Sequence, residues 1–181
     1  GENCDAVGTV QSGAISYDWA VENIGKYELE KNRNTEGNAF EEIENRARKS
    51  PIGAEGVFFV PYLMGERTPH WDEKARGAFI GFTLFHNRNH LFRAVYEGVA
   101  YALKNVLDVL EENGMHTDAL TLIGGGAKSR LWNEIMCNVY GKRIMVHKYP
   151  AEATSLGAAM AAGVGVGIFK DFQAAGGSIE Y

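Results

Sequence analysis

The residues best suited to hold a charged ligand lie where a short apolar run (Leu120, Leu122, Ile123) meets Gly124, Gly125 and Gly126. A segment of helical spacing follows. Glycines carry no Cβ to collide with a ligand and tolerate backbone angles closed to other residues. A helix opening just beyond them leaves its first N–H groups unpaired and pointing outward. Those donors, reinforced by the helix dipole, favour a phosphate or another anion. The turn is therefore the first candidate for contact with a nucleotide, through backbone groups of Gly125, Gly126 and Ala127. Ser129 and Arg130, at the helix start, are placed to add side-chain bonds.

Two phosphate motifs can be tested against this turn. A P-loop needs G-x-x-x-x-G-K-[ST], but Ala127 separates Gly126 from Lys128 and Ser129. A dinucleotide fingerprint needs G-x-G-x-x-G and an acid about twenty residues on. Gly124 and Gly126 fit its first two places, Ser129 takes the third, and Met145, His147 and Lys148 stand where the acid belongs. The plain alternative is a tight strand-to-helix turn with no ligand.

A second chemically dense stretch runs from Pro61 to Gly81 and carries Glu66, Arg67, His70, Asp72 and Arg76. Asp72 is expected to pair with Arg76 or Arg67 rather than to act as a base. His70, His86, His90, His116 and His147 lack H-E-x-x-H or other ligand spacing, so no protein-bound zinc is expected.

The composition sets bounds on function. The chain has 181 residues, 45% hydrophobic and 23% charged, enough for one domain with a real core. Its net charge of −5, without a basic tract, argues against nucleic-acid and anionic-membrane partners. Cys4 and Cys137 lie far apart with no C-x-x-C, which fits a reducing, cytoplasmic compartment. Ala153 to Ile168 is apolar but short and rich in Ala and Gly, and reads as a buried helix rather than a membrane span. The chain opens at Gly1 without methionine and in mid-pattern, as a piece of something longer would.

The elements that position these residues follow from periodicity. Val7 to Val10 reads as a strand end, and Ser12 to Ile24 as a helix with Ile15, Trp19 and Ala20 inward. Gly25 to Gly37 reads as a polar loop or insertion. A helix is expected from Asn38 to Lys49, with Asn38 and Glu41 as a capping box and Phe40, Ile43 and Ala47 inward. Val57–Val60 and Ala78–Thr83 read as strands. A long helix from about Asn89 to Glu112 buries a stripe of Leu91, Val95, Val99, Leu103, Val106 and Leu110 and ends at Gly114. After the Leu120 strand and the glycine turn comes a helix with Leu131, Ile135 and Val139 inward. A strand at Ile144–Val146 and a helix from Thr154 follow. Residues 174–181 read as a loose tail. The alternation predicts an α/β fold with part of the sheet parallel.

Three ordered motifs give the chain a family resemblance. Tyr62-Leu63, Gly65-Glu66-Arg67-Thr68-Pro69-His70 and Asp72-x-x-Ala75-Arg76-Gly77 resemble the C-terminal domain of the FGGY carbohydrate kinases, most closely its xylulokinases. Gluconate kinases of the same family carry a similar loop. The family signature also maps onto Gly77, Phe79, Gly81, His90, Leu91, Ala94, Val95, Tyr96 and Glu97, with Phe82 where an aliphatic residue is usual. Gly124 to Ser129, with Trp132, resembles the family's adenosine-binding loop.

The resemblance implies an actin-like ATPase (ribonuclease-H-like) domain over residues 1–173, with a mixed sheet flanked by helices. It implies an ATP-dependent sugar kinase acting on a pentulose such as xylulose, with Mg²⁺ arriving on the nucleotide. Phe85 and Asn89 would border the adenosine from the other side, while Glu66, Arg67 and Thr68 would shape an interdomain face. An N-terminal kinase domain would be the chief partner, supplying the first phosphate loop, most sugar contacts and the catalytic aspartate. No catalytic residue is assigned in this chain, which by itself is expected to be inactive. A homodimer is a further candidate assembly. The competing readings are a non-catalytic actin-like binding module and a dinucleotide enzyme in which Lys148 meets a 2′-phosphate.

Overall fold

A computed structural model describes residues 6–33 and 38–181. The chain divides into two compact units, one of Gly1–His116 with Asn138–Tyr140 and one of Thr117–Cys137 with Gly141–Tyr181.

The first unit is organised by one long helix. Helices α1 (Gly13–Asn23), α2 (Lys26–Asn32) and α3 (Ala39–Ala47) precede a hairpin of β1 (Phe58–Val60) and β2 (Ala78–Ile80), and α4 (Arg88–Glu112) follows. β1 and β2 pair antiparallel, with Phe58 opposite Ile80 and Val60 opposite Ala78. Ala20, Ala54, Val57, Phe59, Ala94 and Val95 form a buried cluster, with Trp19 and Phe79 against it. The Phe59 ring stacks on Trp19 at 6.2 Å and meets Phe79 at 4.7 Å. Burial of a side chain of this size contributes about 1.5–3 kcal/mol. Of the expected stripe on α4, Val95, Val99 and Val106 are buried and Leu91, Leu103 and Leu110 half-buried, while the run from Phe92 to Ala100 is buried throughout, because α1, α3 and β1 all pack on that helix.

Three expectations fail here for physical reasons. Residues 7–10 form no strand; Thr9 instead exchanges bonds with Thr68, accepting from its N–H at 3.1 Å and donating to its hydroxyl at 3.1 Å. The polar stretch after Gly25 folds as α2, because Glu28 turns inward and is neutralised there. Its carboxylate meets Arg46 Nε at 2.5 Å and Arg88 Nη1 at 3.0 Å. Residues 34–37 of that expected loop, like Cys4, lie outside the described residues. Ile15 and Phe40 face solvent; Ser16, Ala20 and Val21 are the buried residues of α1, and Ala39, Ile43 and Ala47 those of α3. Asn38 does cap α3, accepting from Phe40 N–H.

The second unit is a β–α–β turn followed by two helices. β3 (Ala119–Leu122) and β4 (Arg143–Val146) pair in parallel, with Leu120 opposite Ile144 and Leu122 opposite Val146. α5 (Arg130–Tyr140) makes the crossover that a parallel pair requires and ends on Gly141 in the left-handed region. α6 (Ala153–Gly165) packs with α7 (Phe172–Gly176). α6 is not the buried helix expected from its apolar composition: Gly163, under the Phe169 ring, is its buried residue, and most of the rest is exposed. α7 overlaps the start of the expected tail, where Asp171 caps it, and Glu180 beyond it pairs with Lys148 at 2.5 Å. No helix among the described residues is long and apolar enough to cross a membrane.

Candidate functional site

The seven residues expected at a nucleotide site fall into two groups, one in each unit. Gly125, Gly126, Ala127, Ser129 and Arg130 share a single turn at the carboxyl end of β3, whereas Phe85 and Asn89 belong to the segment entering α4.

The turn is built differently from the simple helix start predicted for it. Gly124 adopts φ +81 and ψ −174, a conformation open to glycine alone, and its N–H donates to Pro150 O at 2.6 Å. One 3-10 turn, Gly125–Lys128, then intervenes before α5. Ala127 N–H bonds to Gly124 O and Ser129 N–H to Gly126 O, while the N–H groups of Gly125 and Gly126 find no acceptor among the described residues. These are the orphan donors of a helical first turn.

The flanking side chains fix this shape. The Ser129 hydroxyl caps α5 by accepting from Trp132 N–H at 3.1 Å, so it is already engaged as a structural acceptor. Asn133 Nδ2 donates to Ala127 O at 2.9 Å. Trp132 is buried beneath the turn; a Cβ on Gly126 would lie 3.2 Å from its Cζ3, whereas one on Gly125 would meet nothing within 4 Å. Arg130 is 89% exposed and pairs with Glu134 at 3.4 Å. Lys148, the candidate for a 2′-phosphate, is paired at the surface with Glu180.

In the first unit, Phe85 is 67% exposed and Asn89 sits in the first turn of α4. The cap of that helix is Asn87, whose Oδ1 accepts from Asn89 N–H at 2.9 Å. Gly81 has φ +94, and a Cβ there would overlap the Gly56 carbonyl oxygen, which accounts for a signature glycine at the mouth of this loop. The signature acid Glu97 is buried; its Oε1 accepts from Arg93 Nε at 2.5 Å and from Gly53 N–H at 3.1 Å. That bond anchors a turn in which Gly53, Ala54, Glu55 and Gly56 all have positive φ.

The Glu66–Asp72 loop is a closed structure rather than a reactive one. Glu66 and Asp72 exchange both backbone bonds, at 2.8 and 2.9 Å. Asp72 does not pair with Arg76 or Arg67: its Oδ1 accepts from Lys74 N–H at 2.8 Å, as the residue that shapes a turn. Arg76 Nη1 donates to the Glu73 and Ala75 carbonyls, and Arg67 stacks 5.2 Å over Trp71. Burial pushes the Tyr62 phenol up, with the Glu66 carboxylate adding to the shift.

Sequence reasoning missed Glu28, His86 and His90 as organising residues. The two histidines carried a readable signal, since each lies three residues after a polar residue whose backbone N–H it receives. Glu28 carried none, because its two arginines are distant in sequence.

The chain matches the FGGY family of carbohydrate kinases, C-terminal domain, over residues 6–166, and it belongs to that family. Within it the chain is most like the xylulose kinases. It is 43% identical over 138 residues to xylulose kinase of Staphylococcus epidermidis, covering 76% of this chain and 28% of that protein. The solved ligand-bound xylulose kinase from Lactobacillus acidophilus superposes with a TM-score of 0.79 and 28% identity, covering 94% of this chain and 33% of that one. The gluconate kinase from the same organism gives 0.78 and 28%, with the same coverage. Plasmodium falciparum glycerol kinase, solved with ADP, gives 0.71 and 28%, covering 92% of this chain and 31% of that one. The fold is thus the actin-like α/β fold of these kinases, and the chain spans about a third of the length of the relatives it matches.

Proposed function

We propose that this chain is the nucleotide-binding C-terminal domain of an ATP-dependent sugar kinase that phosphorylates a pentulose such as xylulose. The observation that carries the reading is the glycine turn, where the N–H groups of Gly125 and Gly126 stand without acceptors among the described residues, on a chain matched to sugar kinases. Backbone donors of this kind suit an anionic or hydrogen-bonding ligand. The likeness to a glycerol kinase solved with ADP supports a nucleotide as that ligand.

In this reading Gly125, Gly126 and Ala127 present backbone to the nucleotide and Ser129 and Arg130 flank it, while Phe85 and Asn89 are nucleotide contacts proposed for the first unit by the family resemblance alone. The base that deprotonates the sugar hydroxyl belongs to an N-terminal domain, as do most sugar contacts. Positioning and charge stabilisation dominate phosphoryl transfer, so this chain's share is to orient the nucleotide. Among the described residues no group of three His, Cys, Asp or Glu side chains is arranged to hold a metal. Mg²⁺ is proposed to arrive on the ATP phosphates, as phosphoryl transfer by such kinases requires. Similarity to a gluconate kinase keeps a sugar acid as the second candidate substrate.

The test is Gly126→Leu in the full-length kinase. The new side chain must displace the Trp132 ring or project over the turn. The ATP KM should rise about tenfold or more, a loss of about 1.4 kcal/mol, with sugar KM little changed. An unchanged ATP KM would remove the turn from the nucleotide site. Xylulose phosphorylation by the 181-residue chain alone would overturn the assignment of the base to another domain.

A further inference from the structure

The loop between β2 and α4 is held by two imidazoles used in the same way. Thr83 N–H donates to His86 Nδ1 at 2.9 Å, and the Thr83 hydroxyl lies 3.0 Å from the same nitrogen. That hydroxyl in turn accepts from Phe85 N–H at 3.3 Å. On the far side of the ring, His86 Nε2 is 3.1 Å from the Glu55 carbonyl oxygen. A backbone N–H can only donate and a carbonyl can only accept. One form of the ring serves both ends: the neutral imidazole with its proton on Nε2. The pattern repeats at the helix start, where Asn87 N–H donates to His90 Nδ1 at 3.0 Å.

The two rings touch, edge to face, with centroids 5.3 Å apart. Phe85 rests on both, at 5.8 Å from His86 and 5.5 Å from His90, and Phe82 meets His86 at 6.1 Å. Among the described residues, the titratable ones in ring or hydrogen-bond contact with His86 are His90 from α4 and Glu55 from the left-handed turn, the latter through its carbonyl. Among the described residues neither imidazole has a carboxylate as a hydrogen-bond partner. Protonation of Nδ1 would set N–H against N–H at both Thr83 and Asn87, leaving at His86 only the Thr83 hydroxyl, which already accepts from Phe85 N–H, to take the new proton while Thr83 N–H loses its acceptor. No change of tautomer relieves this at His86, because its Nε2 already donates. Charge on both rings would add mutual repulsion.

We propose that His86 and His90 are positioning residues that clamp residues 83–87 in their neutral form, so that acidification releases Phe85 and weakens nucleotide binding. The clamp stands on the hydrogen bonds alone; its effect on binding rests on the assignment of Phe85 to the nucleotide site.

The experiment separates the two. In the 181-residue chain, nitrogen NMR of the imidazoles should show the Nε2–H form of both rings at about pH 8, where an ordinary histidine is neutral. Amide protection factors of Thr83 and Asn87, corrected for intrinsic exchange, should fall about five- to tenfold by about pH 5, the interval in which histidine changes charge. His86→Asn places a non-titrating acceptor near the Nδ1 position, so Thr83 protection should become flat while that of Asn87 still falls. In the full-length kinase, the ATP KM of the wild type should rise across the same interval and that of His86→Asn should rise less. An Nδ1–H tautomer of His86, or wild-type Thr83 protection that does not change, overturns the clamp. Protection that falls while both enzymes keep the same ATP KM profile sustains the clamp and removes Phe85 from the nucleotide site. The wild-type titration decides the clamp by itself should the variant fail to fold.

Discussion

Gly98→Ala sets two effects of opposite sign against each other, and the structure decides between them. Gly98 lies mid-way along α4, where alanine is favoured over glycine by about 0.8–1.0 kcal/mol. A Cβ there, however, would overlap the Phe59 carbonyl oxygen and lie 3.0 Å from its carbon and 3.1 Å from Phe59 Cβ. Carbon atoms at optimal contact are about 3.5–4.0 Å apart. The Phe59 carbonyl is held in β1, which is paired to β2 opposite Phe79, so the strand cannot simply rotate away. Helix and strand must separate by about an ångström to carry that oxygen from 2.1 Å to an ordinary carbon–oxygen distance of about 3.3 Å, loosening Ala94 and Val95 against Val57 and Phe59. Overpacking of this kind costs about 1–3 kcal/mol or more, and with a backbone neighbour the upper end applies. The net loss should be about 2 kcal/mol, or a fall in melting temperature of about 4–8 °C for a chain of this size. Gly157→Ala in α6, where a Cβ meets nothing within 4 Å, provides the control and should stabilise by up to about 1 kcal/mol. Urea and thermal unfolding of both variants measure the difference. A Gly98→Ala chain as stable as the wild type would refute the close approach of α4 to β1.

Two further outcomes follow from the first unit. Glu28→Gln should destabilise by about 2 kcal/mol, less than the roughly 3–5 kcal/mol of a fully buried pair because Arg46 and Arg88 keep some solvent contact; Glu41→Gln, on an exposed position, should change urea stability little. Burial pushes the Tyr17 phenol from 10.0 up to about 12, so the folded state disfavours its phenolate. That contribution to stability is intact below pH 10 and is lost as pH rises through about 12. A tyrosinate absorbance titration of wild type against Tyr17→Phe should show one late-titrating phenol missing from the variant, and identical curves would count against the burial.

The helices with one clean apolar face were legible, as were the strands flanking the long loop and the β–α–β turn. Periodicity reports an amphipathic surface directly, and α4 and α5 end near the glycines that mark them, Gly114 and Gly141. What failed did so where a tertiary partner set the outcome. Glu28 reads as a solvated charge until Arg88, sixty residues on, meets it. α6 reads as buried because composition records apolarity but not what lies against it. The loop motif led to the family, yet the local role of Asp72, a turn-shaping acceptor, depends on which backbone N–H it reaches. At the site, the glycines announced the turn, whereas the intervening 3-10 segment and the use of Ser129 as a cap emerge only from backbone geometry.

Gly126, Ser129 and Trp132 close a small circuit. The serine N–H returns to the glycine carbonyl, its hydroxyl accepts from the tryptophan backbone N–H, and the indole edge lies beneath the glycine. The chain therefore carries its own optical reporter. Of its three tryptophans, Trp19 stacks on Phe59 in the first unit, Trp71 is largely exposed, and Trp132 is buried at the turn itself. Any occupant that shifts Gly126 must pass that shift to a shielded fluorophore, which makes the emission of a Trp71→Phe background a label-free gauge of the turn.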